Sequence, residues 1–198
     1  NNSIEASHEL EVFNGVRLMN RFEVAFRRSV ADYKVGNNAD SIFGIPNEPP
    51  VQFDPYNATY NQVRLYFTPR MRYAREPREK IFLGSRWPTF YVLWKKGLKG
   101  LFKSEIDFDY LEFGLFQNLN LGVAGNTSYF IKSGDFVNSK DLRVIDYKFM
   151  RQGDPLFFQN PRSNFQALDS TFPVFDRYFQ GNIVHEFNGA LLSKIPFF

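Results

Sequence analysis

Residues 110–122 read YLEFGLFQNLNLG. In an extended chain, side chains alternate between faces, so Leu111, Phe113 and Leu115 share one side while Tyr110, Glu112 and Gly114 share the other. That is the pattern of a half-buried strand. The same period recurs along the chain. Phe22, Val24 and Phe26 oppose Arg21, Glu23, Ala25 and Arg27, and Val63, Leu65 and Phe67 oppose Gln62, Arg64 and Tyr66. Near the end, Phe179, Ile183, Phe187 and Leu191 oppose Gln180, Asn182, Glu186 and Asn188. The spacing predicts roughly seven or eight strands, several of about ten residues, in an all-β chain.

Composition points the same way. The 198 residues include 24 phenylalanines and 10 tyrosines against 16 leucines, an excess of strand-favouring side chains. Cysteine is absent and only His8 and His185 are present, so thiolate metal sites, disulfides and histidine-based catalytic sets have nothing to draw on. No apolar run approaches the ~18 residues of a spanning helix, and the first residues lack the charge and apolar pattern of a signal peptide. Two Pro- and Asn-rich stretches, 36–58 and 151–177, read as long loops, and 132–141 (KSGDFVNSKD) reads as a turn. No linker divides the chain, which reads as one unit over 1–198 and as a segment of a longer protein.

Strands of ~9–11 residues with alternating polarity suit a tilted membrane-spanning strand, whereas strands of soluble proteins are usually shorter. Strand length, aromatic excess and long polar loops favour part of an antiparallel transmembrane β-barrel. A soluble β-sandwich binding glycans through exposed aromatics is the alternative. In the barrel, Val63, Leu65 and Phe67, then Leu111, Phe113 and Leu115, then Phe179, Ile183 and Phe187 would face lipid. Trp87, Tyr91 and Trp94 suit an interfacial girdle, where a ring is half apolar and half hydrogen-bonded. Both faces of the strand around Tyr91 are apolar, which leaves its lipid-facing side open.

Charge is uneven. The chain carries a net +3, yet residues 64–103 hold eleven Lys/Arg against Glu76 and Glu79. Arg70, Arg72, Arg75, Arg78 and Lys80, with Lys95 and Lys96, are candidate contacts for phosphates or a partner. Prolines interrupt the run and no RNA-binding signature accompanies it, so nucleic acid is not expected. Glu105, Asp107 and Asp109 stand at alternate positions. They could hold a hard cation, but the glycine and closing glutamate of a calcium loop are missing, and a solvated strand end is the preferred reading. Phosphate loops, nucleophile elbows and zinc-protease motifs are absent. His185 falls between Ile183 and Phe187 and reads as a hydrogen-bonded structural residue. A non-catalytic chain without metal or cofactor is expected.

The string YFTPRMRYAREPREKIFLGSRWPTFYVLWKKGLKG, 66–100, resembles a recurrent block of a Bacteroidota family of unknown function. The match lies in Pro69, Tyr73, Pro77, Lys80, Leu83-Gly84-Ser85, Pro88-Thr89-Phe90 and Lys96-Gly97. That family joins a carboxypeptidase-regulatory-like domain to an outer-membrane β-barrel. Residues 108–134 look like its next hairpin. Residues 176–196 look like a later strand, similar to barrels of the outer-membrane assembly and surface-antigen superfamily. The resemblance covers about 60–196 and implies a bacterial outer-membrane location without enzymatic activity. Its implied surroundings are lipid, lipopolysaccharide and other outer-membrane proteins in a complex. By analogy it suggests help in assembling or exporting such proteins.

Overall fold

A computed structural model describes residues 2–29, 52–151, 153, 164, 165, 168 and 171–189. Seven strands build one antiparallel sheet: β1 (Asn2–Phe13), β2 (Val16–Arg27), β3 (Tyr56–Phe67), β6 (Thr89–Gly97), β7 (Asp107–Asn120), β8 (Asn126–Asp141) and β11 (Tyr178–Glu186), in that spatial order. A ribbon of β4 (Arg72–Arg75) and β5 (Lys80–Gly84) interrupts the β3–β6 connection. A second ribbon, β9 (Lys148–Met150) with β10 (Phe172–Val174), lies between β8 and β11. The architecture is all-β and antiparallel, as the alternation predicts. Among the described residues the outer edges of β1 and β11 have no strand partner, so the sheet is open.

The β1–β2 hairpin turns on Asn14-Gly15, a sequence favoured in tight hairpins because it tolerates left-handed backbone. Gly15 has φ +83°, and a Cβ there would stand 2.4 Å from the Thr68 carbonyl oxygen. The Thr68 amide donates to the Gly15 carbonyl at 2.7 Å, which ties this hairpin to the end of β3.

Register sets the two faces. Leu65, Val92, Phe113, Ser133 and Phe179 form one cross-strand row, and Arg64, Leu93, Glu112, Gly134 and Tyr178 form the next, on the opposite side. The first side is open and carries exposed apolar side chains. The second is sheltered. Tyr56, Tyr60, Leu93, Phe108, Tyr110, Phe136 and Tyr178 are buried there, and Leu142, Met150, Phe165, Leu168 and Val174 pack onto them from the segment between β8 and β11. The core therefore lies on the face that also carries the strands' charged residues.

Several boundaries differ from expectation. Residues 132–141 are not a turn but the second half of β8, which continues to Asp141. Their glycine and serine serve packing: Gly134 leaves room for the Tyr110 and Tyr178 rings, and the Ser133 hydroxyl donates to the Tyr178 carbonyl at 2.9 Å. The expected loop 36–58 gives way to strand at Tyr56, because Tyr56, Ala58 and Tyr60 alternate into the core. Residues 36–51 lie outside the described residues. The expected loop 151–177 contains β10, while 152, 154–163, 166, 167, 169 and 170 lie outside. The last strand ends at Glu186, before a turn in which Asn188 and Gly189 both have positive φ. Leu191 lies outside the described residues.

Candidate functional site

The sheltered face centres on Glu112, whose side chain is only 7% exposed. Tyr91 donates its hydroxyl to Oε1 at 2.9 Å, and Tyr110 donates to Oε2 at 2.6 Å. Tyr178 donates to the same oxygen, and Lys148 Nζ approaches it at 3.4 Å. The Tyr110 and Tyr178 hydroxyls also meet at 2.7 Å. A buried carboxylate is tolerable only when hydrogen bonds and a counter-charge replace its hydration. Here four donors from β6, β7, β9 and β11 do so.

Two glycines make room for the tyrosine rings. A Cβ on Gly114 would stand 2.4 Å from Tyr91 Cε1, and one on Gly134 would stand 2.5 Å from Tyr178 Cε1. Each ring thus lies flat over a glycine in the neighbouring strand, which aims its hydroxyl at Glu112. Gly114→Val is accordingly expected to displace Tyr91 and destabilise the fold by about 1–3 kcal/mol. Pairing it with Tyr91→Phe checks the mechanism, because the two costs should not add when the hydroxyl contact is already lost.

Cations on this face fall into two groups. Toward β1 and β2 each is paired: Arg17 with Glu9 at 2.8 Å, Arg21 with Glu5 at 2.8 Å, and Arg27 with Glu23 at 3.0 Å. Lys95 is held by Asp146 at 3.1 Å, and Asp146 also accepts from the Tyr60 hydroxyl. At Arg64 on β3 and Lys132 on β8 the pairing fails. Among the described residues Arg64 and Lys132 have no ion pair, and Arg64 donates instead to the Tyr66 hydroxyl at 2.9 Å.

The open face carries the residues expected to meet lipid. Leu65, Phe67, Phe113, Phe179, Ile183 and Phe187 are all exposed, Ile183 to 77%, and Val63, Leu111 and Leu115 are half-buried. They share this side with Phe90, Val92 and Trp94 of β6. The apolar zone is not level with the register. Its lower limit is Phe26 on β2, paired with Asn57, then Val63 on β3, then Phe179 on β11, eight register rows above Phe26. Beyond Trp94 the face turns polar: Lys96 binds Asp109 at 2.8 Å, and Trp94 Nε1 donates to Asp109 at 3.0 Å.

The three expected girdle aromatics do not share a side. Trp94 is on the open face and Trp87 sits exposed in the turn before β6, with the Arg70 guanidinium 5.8 Å from its ring centre. Tyr91 is on the sheltered face, because an odd residue number separates it from its neighbours on β6. The basic block also disperses. Lys95 and Lys96 diverge to opposite faces and each meets a carboxylate. Arg70, Arg72, Arg75, Arg78 and Lys80 gather on the β4–β5 ribbon, where Lys80 lies 4.4 Å from the Tyr73 ring centre and pairs with Glu11. The other four have no ion pair among the described residues.

The acidic trio is divided among donors. Asp109 serves Lys96 and Trp94, Asp107 accepts from Asn138 at 3.0 Å, and Glu105 stands 3.9 Å from Arg143. No cluster of three His, Asp or Glu side chains suited to a metal occurs among the described residues. His185 has both ring nitrogens engaged. Nε2 lies 3.0 Å from the Ala124 carbonyl, which only accepts, so Nε2 carries the proton and Nδ1 accepts from the Thr127 hydroxyl at 2.7 Å. This is the role expected of a structural histidine.

The hub role of Glu112 was not legible in the sequence. Its position on a polar strand side was, but its partners come from residues up to 66 positions away.

Fold and site together define an antiparallel all-β domain with an apolar open face and a charged, tyrosine-rich sheltered one. The chain belongs to a family of unknown function, DUF5686, whose C-terminal domain model matches residues 1–198. No curated protein and no solved structure matches it.

Proposed function

We propose that this chain forms part of a β-barrel in a bacterial outer membrane, non-catalytic, with its open face against lipid. The observation that carries this reading is the inverted polarity of the sheet. The large exposed side chains on the open face are Leu, Ile, Val, Phe and Trp, with charge at Asp135 and at the margin of Lys96 and Asp109, whereas most charged strand residues lie on the face that shelters the core. A soluble sandwich needs the reverse. The climb of the apolar zone adds a second argument. Eight rows over the five strand steps from β2 to β11 average about 1.6 residues per strand, which at ~3.3 Å rise and ~4.8 Å strand separation corresponds to a tilt of about 48° between the strands and the normal to that zone, near the upper end of the barrel range. Membrane barrels tilt their strands by about 35–45°.

Lipid leaves unpaired sheet edges without partners, so the barrel must close. The seven strands alternate in direction, so β1 and β11 run the same way. An all-antiparallel closure therefore needs an odd number of further strands between them. Copies of the chain inserted in one orientation would meet in parallel. The resemblance of residues 176–196 to outer-membrane assembly barrels adds a role in assembling, exporting or docking other outer-membrane proteins, with lipid and lipopolysaccharide as surroundings. Bacteroidota as the source rests on the resemblance of residues 66–100 to a recurrent block of that family.

The test is the native parent protein in isolated membranes, extracted with detergent and compared with and without boiling on a denaturing gel. A shift on boiling, with no protein in the soluble fraction, is expected of a closed barrel. Soluble protein with unchanged migration would sink this reading and favour the glycan-binding sandwich.

A further inference from the structure

We propose that the sheltered face holds a binding site for a phosphate-bearing anion, formed by Lys132, Lys148 and Arg151. These three cations line one cavity of about 470 Å³ between β8, β11 and the β9 ribbon, together with Tyr147, Phe165 and Gln180. Among the described residues no carboxylate lines it.

Cations on this face differ in their partners. Arg17, Arg21, Arg27 and Lys95 each sit against a carboxylate. Lys132 and Arg151 have no ion pair among the described residues, and Lys148 reaches only Glu112, at 3.4 Å. Glu112 is already occupied by three tyrosine hydroxyls. Lys132 and Lys148 are half-buried and Arg151 stands exposed at the cavity's edge; the like charges repel and the two lysines lose part of their hydration, and an anion between the three relieves both costs. Two ammonium groups and a guanidinium offer many donors, which suits an oxyanion with several acceptor oxygens. Beside them Tyr147, Phe149, Met150 and Phe165 form an apolar wall. That combination fits a phosphate attached to an organic group, whether a lipid headgroup or a free phosphate ester. The site rests on the cavity itself and stands whether or not the sheet spans a membrane.

The experiment is calorimetric titration of the full-length, detergent-solubilised protein at low salt. One arm uses inorganic pyrophosphate. The other compares mixed micelles containing phosphatidylglycerol or phosphatidylcholine. Saturable binding is expected, weakened about ten-fold by Lys132→Gln and further by adding Arg151→Gln, and retained in Lys132→Arg. Response to pyrophosphate alone identifies a free phosphate ester as the ligand. Response to phosphatidylglycerol over phosphatidylcholine identifies a headgroup. No binding in either arm, equal binding of sulfate, or an affinity unchanged in the double variant overturns the site. Each variant is also run with and without boiling. A soluble protein that binds through these residues keeps the site and removes the barrel, whereas a folded barrel without binding does the opposite.

Discussion

Glu112→Ala is expected to lower stability by about 3–5 kcal/mol, the loss typical of removing one side of a buried charged pair. Three tyrosine hydroxyls and Lys148 converge on this carboxylate from four strands, so its removal leaves donors on both flanks of the sheet without an acceptor. Glu112→Gln keeps one acceptor oxygen but turns an amide group toward donors and discards the charge. A smaller loss of about 1–3 kcal/mol follows. Tyr178→Phe removes a single donor and should cost about 1 kcal/mol. The reading is the urea midpoint of the detergent-solubilised protein, followed by tryptophan fluorescence. An alanine variant no weaker than Tyr178→Phe would show that Glu112 does not join the strands.

Phe113→Arg on the open face gives a result whose size depends on what lies outside. Phe113 is 55% exposed, in the middle of β7, level with Val92 and Ser133. In water, replacing an exposed side chain away from special features changes stability by less than about 0.5 kcal/mol. Against hydrocarbon, an arginine near the midplane costs about 2–4 kcal/mol. The expected result is a several-fold fall in folded, boiling-sensitive protein recovered from membranes, with a similar fall for Ile183→Arg. Lys96→Arg, at the polar margin of the same face, should change nothing measurable because it keeps the charge beside Asp109. Full recovery of Phe113→Arg would mean that water covers this face.

Both effects arise from one arrangement. The strands put most large apolar side chains on the open side and most of their charge on the side where the core lies, so hydrogen bonds and ion pairs replace aliphatic packing as the internal adhesive. The paired residues near β1 and β2 and the tyrosine–glycine slots of β6, β7, β8 and β11 are two forms of it.

Much of this arrangement is legible in the residues alone, and the elements that are not have a physical reason. Period-two alternation placed β2, β3, β7 and β11 correctly, and sorted Leu65, Phe113 and Ile183 onto one face. Strand β1 escaped because Ile4, Ala6, His8 and Leu10 alternate with Ser3, Glu5, Ser7 and Glu9 too weakly to stand out. The Asn14-Gly15 pair was the signal available, since such a pair between two extended runs marks a hairpin. The 132–141 stretch reads as a turn because glycine, serine and asparagine favour turns locally. The tyrosine ring from the next strand that occupies the space above Gly134 has no local signature.

By itself the sequence determined the strand content and the side of each strand on which a residue lies, because alternation is a property of the extended backbone and needs no neighbour. It also determined that thiolate and histidine sites have little to draw on, because cysteine is absent and the two histidines are far apart in the chain. Only the tertiary structure decided which of the two faces shelters the core, since that depends on where Leu142, Met150, Phe165, Leu168 and Val174 pack. Tertiary pairing also decided that Glu112 gathers three tyrosines, that Lys95 and Lys96 part company, and that Lys132 stands beside Lys148 and Arg151. Those contacts join residues distant in sequence, and register across strands, not spacing along one, brings them together.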